Sequence, residues 1–228
     1  MDKNNPRKLN PQCPYLILCE GVDEKNFLIW YIKYLVQKSF VPDQINIIDL
    51  GGIKDISSGL RTITKQEYFN DMKSILIVRD AESDASAAVQ SLQNSIQKVF
   101  GENVPATNNF KMISNKLKIG FVLLPGEDSI GNFRNGTLED LCLEILKEKE
   151  EQISVDILKN TAIDYVNSVQ KLRNQKFSTV HKNYIHTFFS VTDKFVGSKI
   201  GEAAHYGCFD FSSPKLDFLE CAILKLVE

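Results

Sequence analysis

Two short, largely apolar segments that each lead into acids constrain this chain more than any other feature. Residues 15–19 read YLILC and hand over to Glu20-Gly21, with Asp23 and Glu24 close behind. Residues 74–79 read SILIVR and are followed by Asp80, Glu82 and Asp84, three carboxylates in five residues. Apolar runs without polar alternation fit strands buried on both faces, and such strands belong to parallel sheets covered by helices. Open α/β folds place their sites at the carboxyl edge of that kind of sheet. Carboxylates crowded there repel one another unless a cation or bound protons neutralise them.

The rest of the chain extends this pattern. Residues 45–50 (INIIDL) supply a third strand, closed by Gly51-Gly52. Between the strands, apolar residues recur at helical spacing: Phe27, Trp30, Tyr31, Tyr34 and Leu35 behind Asp23 as N-cap, then Ile56, Leu60, Ile63 and Phe69. Residues 85–100 repeat the pattern with Val89, Leu92, Ile96 and Val99. Strand and helix alternate from 15 to 100, which predicts βαβ units and a mostly parallel, Rossmann-like sheet flanked by helices. Further strands are expected at 110–114 and 118–124. A helix should begin behind Thr137, with Asp140 three residues on as in a capping box, and run through LEDLCLEILKEKEE. Residues 153–228 read as a mainly helical C-terminal part, with helices near 153–172, 178–190 and 214–227 and a glycine-punctuated loop around 197–207. The expected class is α/β, a single domain over 15–228 behind a flexible polar tail at 1–14.

Composition narrows the functional classes. The 228-residue chain has a net charge of −2, so no global basic field advertises nucleic acid or an anionic membrane. Its cations are nevertheless segregated. No acid occurs between Asp164 and Asp193, where Lys171, Arg173, Lys176 and Lys182 lie, or from 103 to 126, where Lys111, Lys116 and Lys118 lie. Such stretches suit either a phosphate backbone or a solvated face. Five scattered cysteines without C-x-x-C spacing suggest reduced, mostly buried thiols. The N-terminus lacks an apolar signal region and no run reaches membrane-spanning length, so a soluble cytoplasmic protein with no membrane partner is expected. Neither a P-loop nor a G-x-S-x-G motif is present.

Three strand or loop ends deliver acids: Glu20 with Glu24, Asp80 with Glu82, and Thr137 with Glu139. Hung at corresponding edges of βαβ units, they describe a site for hard divalent cations, which take oxygen ligands and assist phosphodiester hydrolysis singly or in pairs. An apolar strand ending in Glu20-Gly21, then a strand ending in an Asp-x-acid pair, resembles the TOPRIM domain of topoisomerases, bacterial primases and several nucleases. The chain is more similar still to OLD-type nucleases and their small stand-alone TOPRIM relatives of uncharacterised function. Glu24 matches that group's second acid, Asp80 and Glu82 its Asp-x-Asp pair, and Thr137-Leu138-Glu139 after Gly136 its Ser/Thr-x-Glu element. Lys182, in VHKNYIHTFFS, matches its late lysine, and the resemblance spans roughly residues 15–210.

The resemblance implies a divalent-metal-dependent nuclease for DNA or RNA. Glu20, Glu24, Asp80, Glu82, Thr137 and Glu139 would hold one or two Mg2+ or Mn2+ ions. Glu20, Asp80 and Lys182 would be catalytic, with Lys182 stabilising charge on the phosphate. Glu82 departs from the pattern by one methylene, which either moves a metal position or marks a degenerate site, and Asp84 is a substitute at hand. The alternative is a non-catalytic TOPRIM module that binds nucleic acid or docks on an ATPase supplied in trans, since OLD-type nucleases carry an ATPase domain and this chain has none. A weaker third reading makes Asp80 a phosphoryl-accepting nucleophile. His181, His186 and His205 lack metal-ligand spacing and read as surface or loop histidines.

Overall fold

The structure, a computed structural model, describes residues 9–51, 56–104, 110–147, 149–150 and 153–228. Its main sheet holds β1 (Tyr15–Cys19), β2 (Ile45–Asp49), β3 (Ser74–Asp80), β4 (Lys111–Met112) and β5 (Lys118–Leu124) in the order β2-β1-β3-β5-β4. β1, β2, β3 and β5 run parallel, while β4 pairs antiparallel at one edge. The two most uniformly apolar segments, β1 and β3, lie inside the sheet, and Leu16 to Leu18 and Ile75 to Val78 have no exposed surface. That is the environment their lack of alternation demands.

Side chains alternate between two cores. Ile17, Cys19, Leu76, Val78 and Leu124 face α1 (Val22–Gln37), α4 (Leu138–Glu144) and α8 (Asp217–Val227). Leu16, Leu18, Ile75, Ile77 and Leu123 face α2 (Ile56–Thr64) and α3 (Ala85–Phe100). From β1 the chain steps to β2 on one side and then returns to β3 on the other. This reversal opens a crevice beyond the carboxyl ends of β1 and β3, the topological switch point at which open α/β sheets bind ligands. Glu20 and Asp80 stand at its two sides.

The C-terminal part adds the pair β6 (Lys149–Glu150) and β7 (Ile153–Ser154), then α5 (Val155–Arg173), α6 (Val180–Ser190), α7 (Ile200–His205) and α8. It is mainly helical, as expected, with several differences in detail. α4 stops at Glu144, because from Ile145 onward the chain pairs with 208–210. The Asp210 N–H donates to the Ile145 carbonyl at 2.7 Å, and the Lys147 N–H to that of Cys208 at 3.0 Å. Residues 148 and 151 of the expected helix lie outside the described residues. Helix α7 occupies what the sequence suggests is a glycine loop. Gly201 is there for closeness: a Cβ on it would stand 2.3 Å from Asn26 Cβ on α1.

Residues 9–14 are not a loose lead-in. Leu9 is 3% exposed, its N–H donates to Gln66 at 2.9 Å, and Asn46 donates to the Cys13 carbonyl at 2.7 Å. Residues 1–8 of the expected tail, and Gly52 of the glycine pair, lie outside the described residues. The strand expected at 110–114 shortens to Lys111–Met112, because Ile113 and Ser114 turn back onto Leu117. Cys19, Cys142 and Cys208 are buried, and none of the five cysteines forms a disulfide. Among the described residues, no helix is long and apolar enough to cross a membrane.

Two acids near the sheet edge prove to be helix-terminal. Gly21, in extended conformation, caps α1, and Asp23 lies in the first turn instead of at the cap. Asp84 caps α3, its carboxylate accepting from the Ala87 N–H at 2.9 Å, and it is not among the residues that line the acidic cleft at this sheet edge. Asp84→Ala is expected to cost about 1 kcal/mol, read from the urea midpoint, and to leave divalent-ion affinity unchanged by calorimetry.

Candidate functional site

All the candidate residues meet in one cleft. Glu20, Glu24, Asp80, Glu82, Thr137, Glu139 and Lys182 line a cavity of about 330 Å³ at the switch point, together with Asp23, Ser178, Thr179 and His181. Each arrives for a local reason. Glu20 is the first residue past β1, and Glu24 follows in the first turn of α1. Asp80 ends β3 on the same face as Leu76 and Val78, which aims it at α4. Its Oδ1 accepts from the Leu138 N–H at 2.9 Å, so the start of α4 sits directly on the strand end.

A backbone clamp fixes the neighbouring loop. The Glu82 N–H donates to the Gly136 carbonyl at 2.8 Å, and the Glu82 carbonyl accepts from the Gly136 N–H at 2.7 Å. Glu82 takes a left-handed conformation, φ 55°, which only the surrounding bonds make tolerable. Gly136, at φ 135°, leaves no room for a Cβ, which would meet Asp140 at 2.8 Å and Pro125 at 3.0 Å. Thr137 then opens α4 in a reciprocal arrangement with Asp140, whose carboxylate accepts from the Thr137 N–H at 2.8 Å and hydroxyl at 3.2 Å. The hydroxyl of Thr137 is thus engaged with Asp140.

Burial and like charge together govern the acids. Asp80 is 7% exposed and Glu139 3%. Desolvation, followed by the Glu24 and Glu139 carboxylates, pushes the Asp80 carboxyl well above the usual carboxylate range, despite the Leu138 N–H. Glu24 is raised by burial and then by Glu139 and Glu20. Glu20 is also raised by burial, partly offset by Arg79 and reinforced by Glu82. Lys182 Nζ stands 3.5 Å from Glu139 Oε1. Burial works to lower the lysine's pKa, but Glu139, Asp23 and Glu24 outweigh it and leave it raised.

Several participants were not foreseen from the sequence. Arg79 is the in-register neighbour of Glu20, since Cys19 pairs with Val78, and its Nε lies 3.0 Å from Glu20 Oε1, at ion-pair distance without hydrogen-bond alignment. A lone arginine in the last turn of an otherwise apolar strand was the available signal. His181, expected at the surface, sets Nδ1 2.6 Å from Asp140 Oδ1. The pairs 139–182 and 140–181 thereby fasten the first turn of α6 to that of α4.

The two acid-free intervals separate cleanly. Lys118 pairs opposite Ser74 at the amino end of the sheet, about 20 Å along β3 from Asp80, and Lys111 is paired with Glu102. That cluster is remote from the cleft. Lys171, Arg173 and Lys176, by contrast, lie exposed in the end of α5 and the turn leading to Ser178 and Thr179 at the cleft wall.

The donor set suits a hard divalent cation in chemistry: carboxylate oxygens gathered around one cleft, with Glu20, Glu24 and Asp80 raised by burial and then by neighbouring carboxylates. As placed, no three His, Cys, Asp or Glu side chains among the described residues are close enough to hold one ion.

The fold and the cleft define an α/β protein with an acid-lined site at its switch point. The chain belongs to the family described as protein of unknown function DUF3226, whose profile matches residues 14–227, from the edge of β1 through α8. No curated protein and no solved structure matches it.

Proposed function

We propose that this protein is a divalent-metal-dependent phosphodiester hydrolase acting on DNA or RNA, of the TOPRIM/OLD type that its motifs resemble. The observation that carries the reading is convergence: Glu20, Asp80, Glu139 and Lys182, spread over 163 sequence positions, line one cleft. Glu20, Glu24, Asp80, Glu82 and Glu139 would hold Mg2+ or Mn2+, with Thr137 at the edge of the set. A bound ion supplies Lewis-acid stabilisation of charge developing on the phosphoryl oxygens. The chain's own contribution is to orient the phosphate, to exclude water around the buried Asp80 and Glu139, and to set the Lys182 ammonium beside them. Lys171, Arg173 and Lys176, exposed in the end of α5 and the turn that leads to the cleft wall, support a polyanionic substrate.

The spacing of the acids favours a second reading, a non-catalytic module that binds nucleic acid or a partner ATPase. End-labelled single- and double-stranded DNA and RNA, incubated with millimolar Mg2+ or Mn2+, distinguish the two. Ion-dependent cleavage, with calorimetric ion binding, is expected. Ion binding without cleavage of any of the four substrates would leave only the module.

A further inference from the structure

One pair of side chains at the cleft has no role in the reading above. Asp140 is held on one oxygen by the Thr137 N–H and hydroxyl, so it is anchored to the start of α4 and cannot follow another group. Its other oxygen lies 2.6 Å from His181 Nδ1. A carboxylate so placed accepts a hydrogen bond from Nδ1–H and fixes the ring, which makes Nε2 the nitrogen able to meet a ligand. His181 lines the same cleft as Asp80 and Lys182, and its side chain is 42% exposed, within reach of a bound substrate.

Phosphodiester hydrolysis expels an alkoxide, a poor leaving group that needs a proton as its bond to phosphorus breaks. The cleft carboxylates are assigned to the cation, and the Lys182 ammonium lies against Glu139. A histidine oriented by a carboxylate is the side chain best suited to that transfer. Resting on the hydrolase reading of this cleft, we propose that His181, oriented by Asp140, protonates the leaving oxygen. A water oxygen forms its bond to phosphorus and releases its proton to bulk solvent. The phosphorus bond to the leaving oxygen breaks with both electrons staying on that oxygen, which receives the Nε2 proton of the imidazolium. The neutral ring keeps its proton on Nδ1, hydrogen-bonded to Asp140, and Nε2 regains its own from solvent. His181 is the catalytic residue and Asp140 a positioning residue.

The test compares ordinary oligothymidylate with oligothymidylate carrying sulfur at the leaving position, because a thiolate departs without a proton. His181→Gln is expected to slow cleavage of the ordinary links by about 10²-fold or more, and its defect on the sulfur-bridged links should be at least about tenfold smaller. Asp140→Asn should shift the same ratio in the same direction, by less. Calorimetry should give both variants the wild-type Mn2+ affinity. An equal loss on both substrates, or loss of Mn2+ binding along with rate, overturns the proton-donor role while leaving the hydrolase intact. A wild-type protein that cuts neither substrate overturns both.

Discussion

Asp80→Asn is expected to abolish ion-dependent cleavage, by at least about 10³-fold, while making the metal-free protein harder to unfold. The two effects share one cause. Asp80 is 7% exposed and faces the Glu24 and Glu139 carboxylates, so its charge is costly until a cation shares it. Asparagine keeps the shape and the oxygen that accepts from the Leu138 N–H, but removes the charge. The gain should be on the order of 1–2 kcal/mol, or about 2–8 °C in melting temperature for a chain of this size. The pH dependence has a definite sign. The folded-state pKa values of Asp80, Glu20 and Glu24 are raised above their unfolded values, so the native state binds more protons than the unfolded one. Metal-free stability therefore falls as the pH rises through the raised values, and recovers as the pH drops toward the ordinary carboxylate range near about 4. Asp80→Asn should flatten that slope. Thermal melts between pH 5 and 8 in a chelator provide the check; a variant that melts lower than wild type at pH 8 would mean that the acids are not in mutual repulsion.

That conflict between stability and site also explains how much was legible beforehand. β1 and β3 could be read because a strand buried on both faces must be apolar throughout, and the acids at their ends because nothing in a core tolerates them. The Thr137 element was legible through its reciprocal pairing with Asp140, a local signal four residues long. What was not legible depends on contacts between distant segments. Nothing near Arg79 in sequence announces Glu20 as its partner; the register of β1 against β3 does so. His181 looks like a surface residue until α6 is laid against α4, 41 positions away. α7 was hidden by Gly201, which reads as a helix breaker but serves as the contact point with Asn26 of α1. Asp84 misled in the opposite direction, because an N-cap aspartate and a metal ligand look alike in sequence and only the bond to the Ala87 N–H tells them apart.

Lys182→Ala separates holding a metal from using it, since it should lose the reaction without losing the ion. The ammonium lies 3.5 Å from Glu139, which is itself 3% exposed, and so competes with a divalent cation for the same carboxylate. Its removal should leave Mn2+ binding as tight as in the wild type or tighter, while turnover falls by about 10²–10³-fold through loss of a preorganised positive charge beside the phosphate. The metal-free variant should also be less stable, because the buried Glu139 side chain loses its ammonium partner. The side chain of Lys182 is 53% exposed, so solvent already screens the pair and the cost is only about 1 kcal/mol. Added Mn2+ should restore that loss, giving the variant a larger ion-induced rise in melting temperature than the wild type. Weaker Mn2+ binding in Lys182→Ala would instead assign the lysine to holding α4 and α6 together. Stronger binding in a protein with no cleavage to lose would turn the same cleft into a metal-bound docking surface, with the ammonium as its gatekeeper.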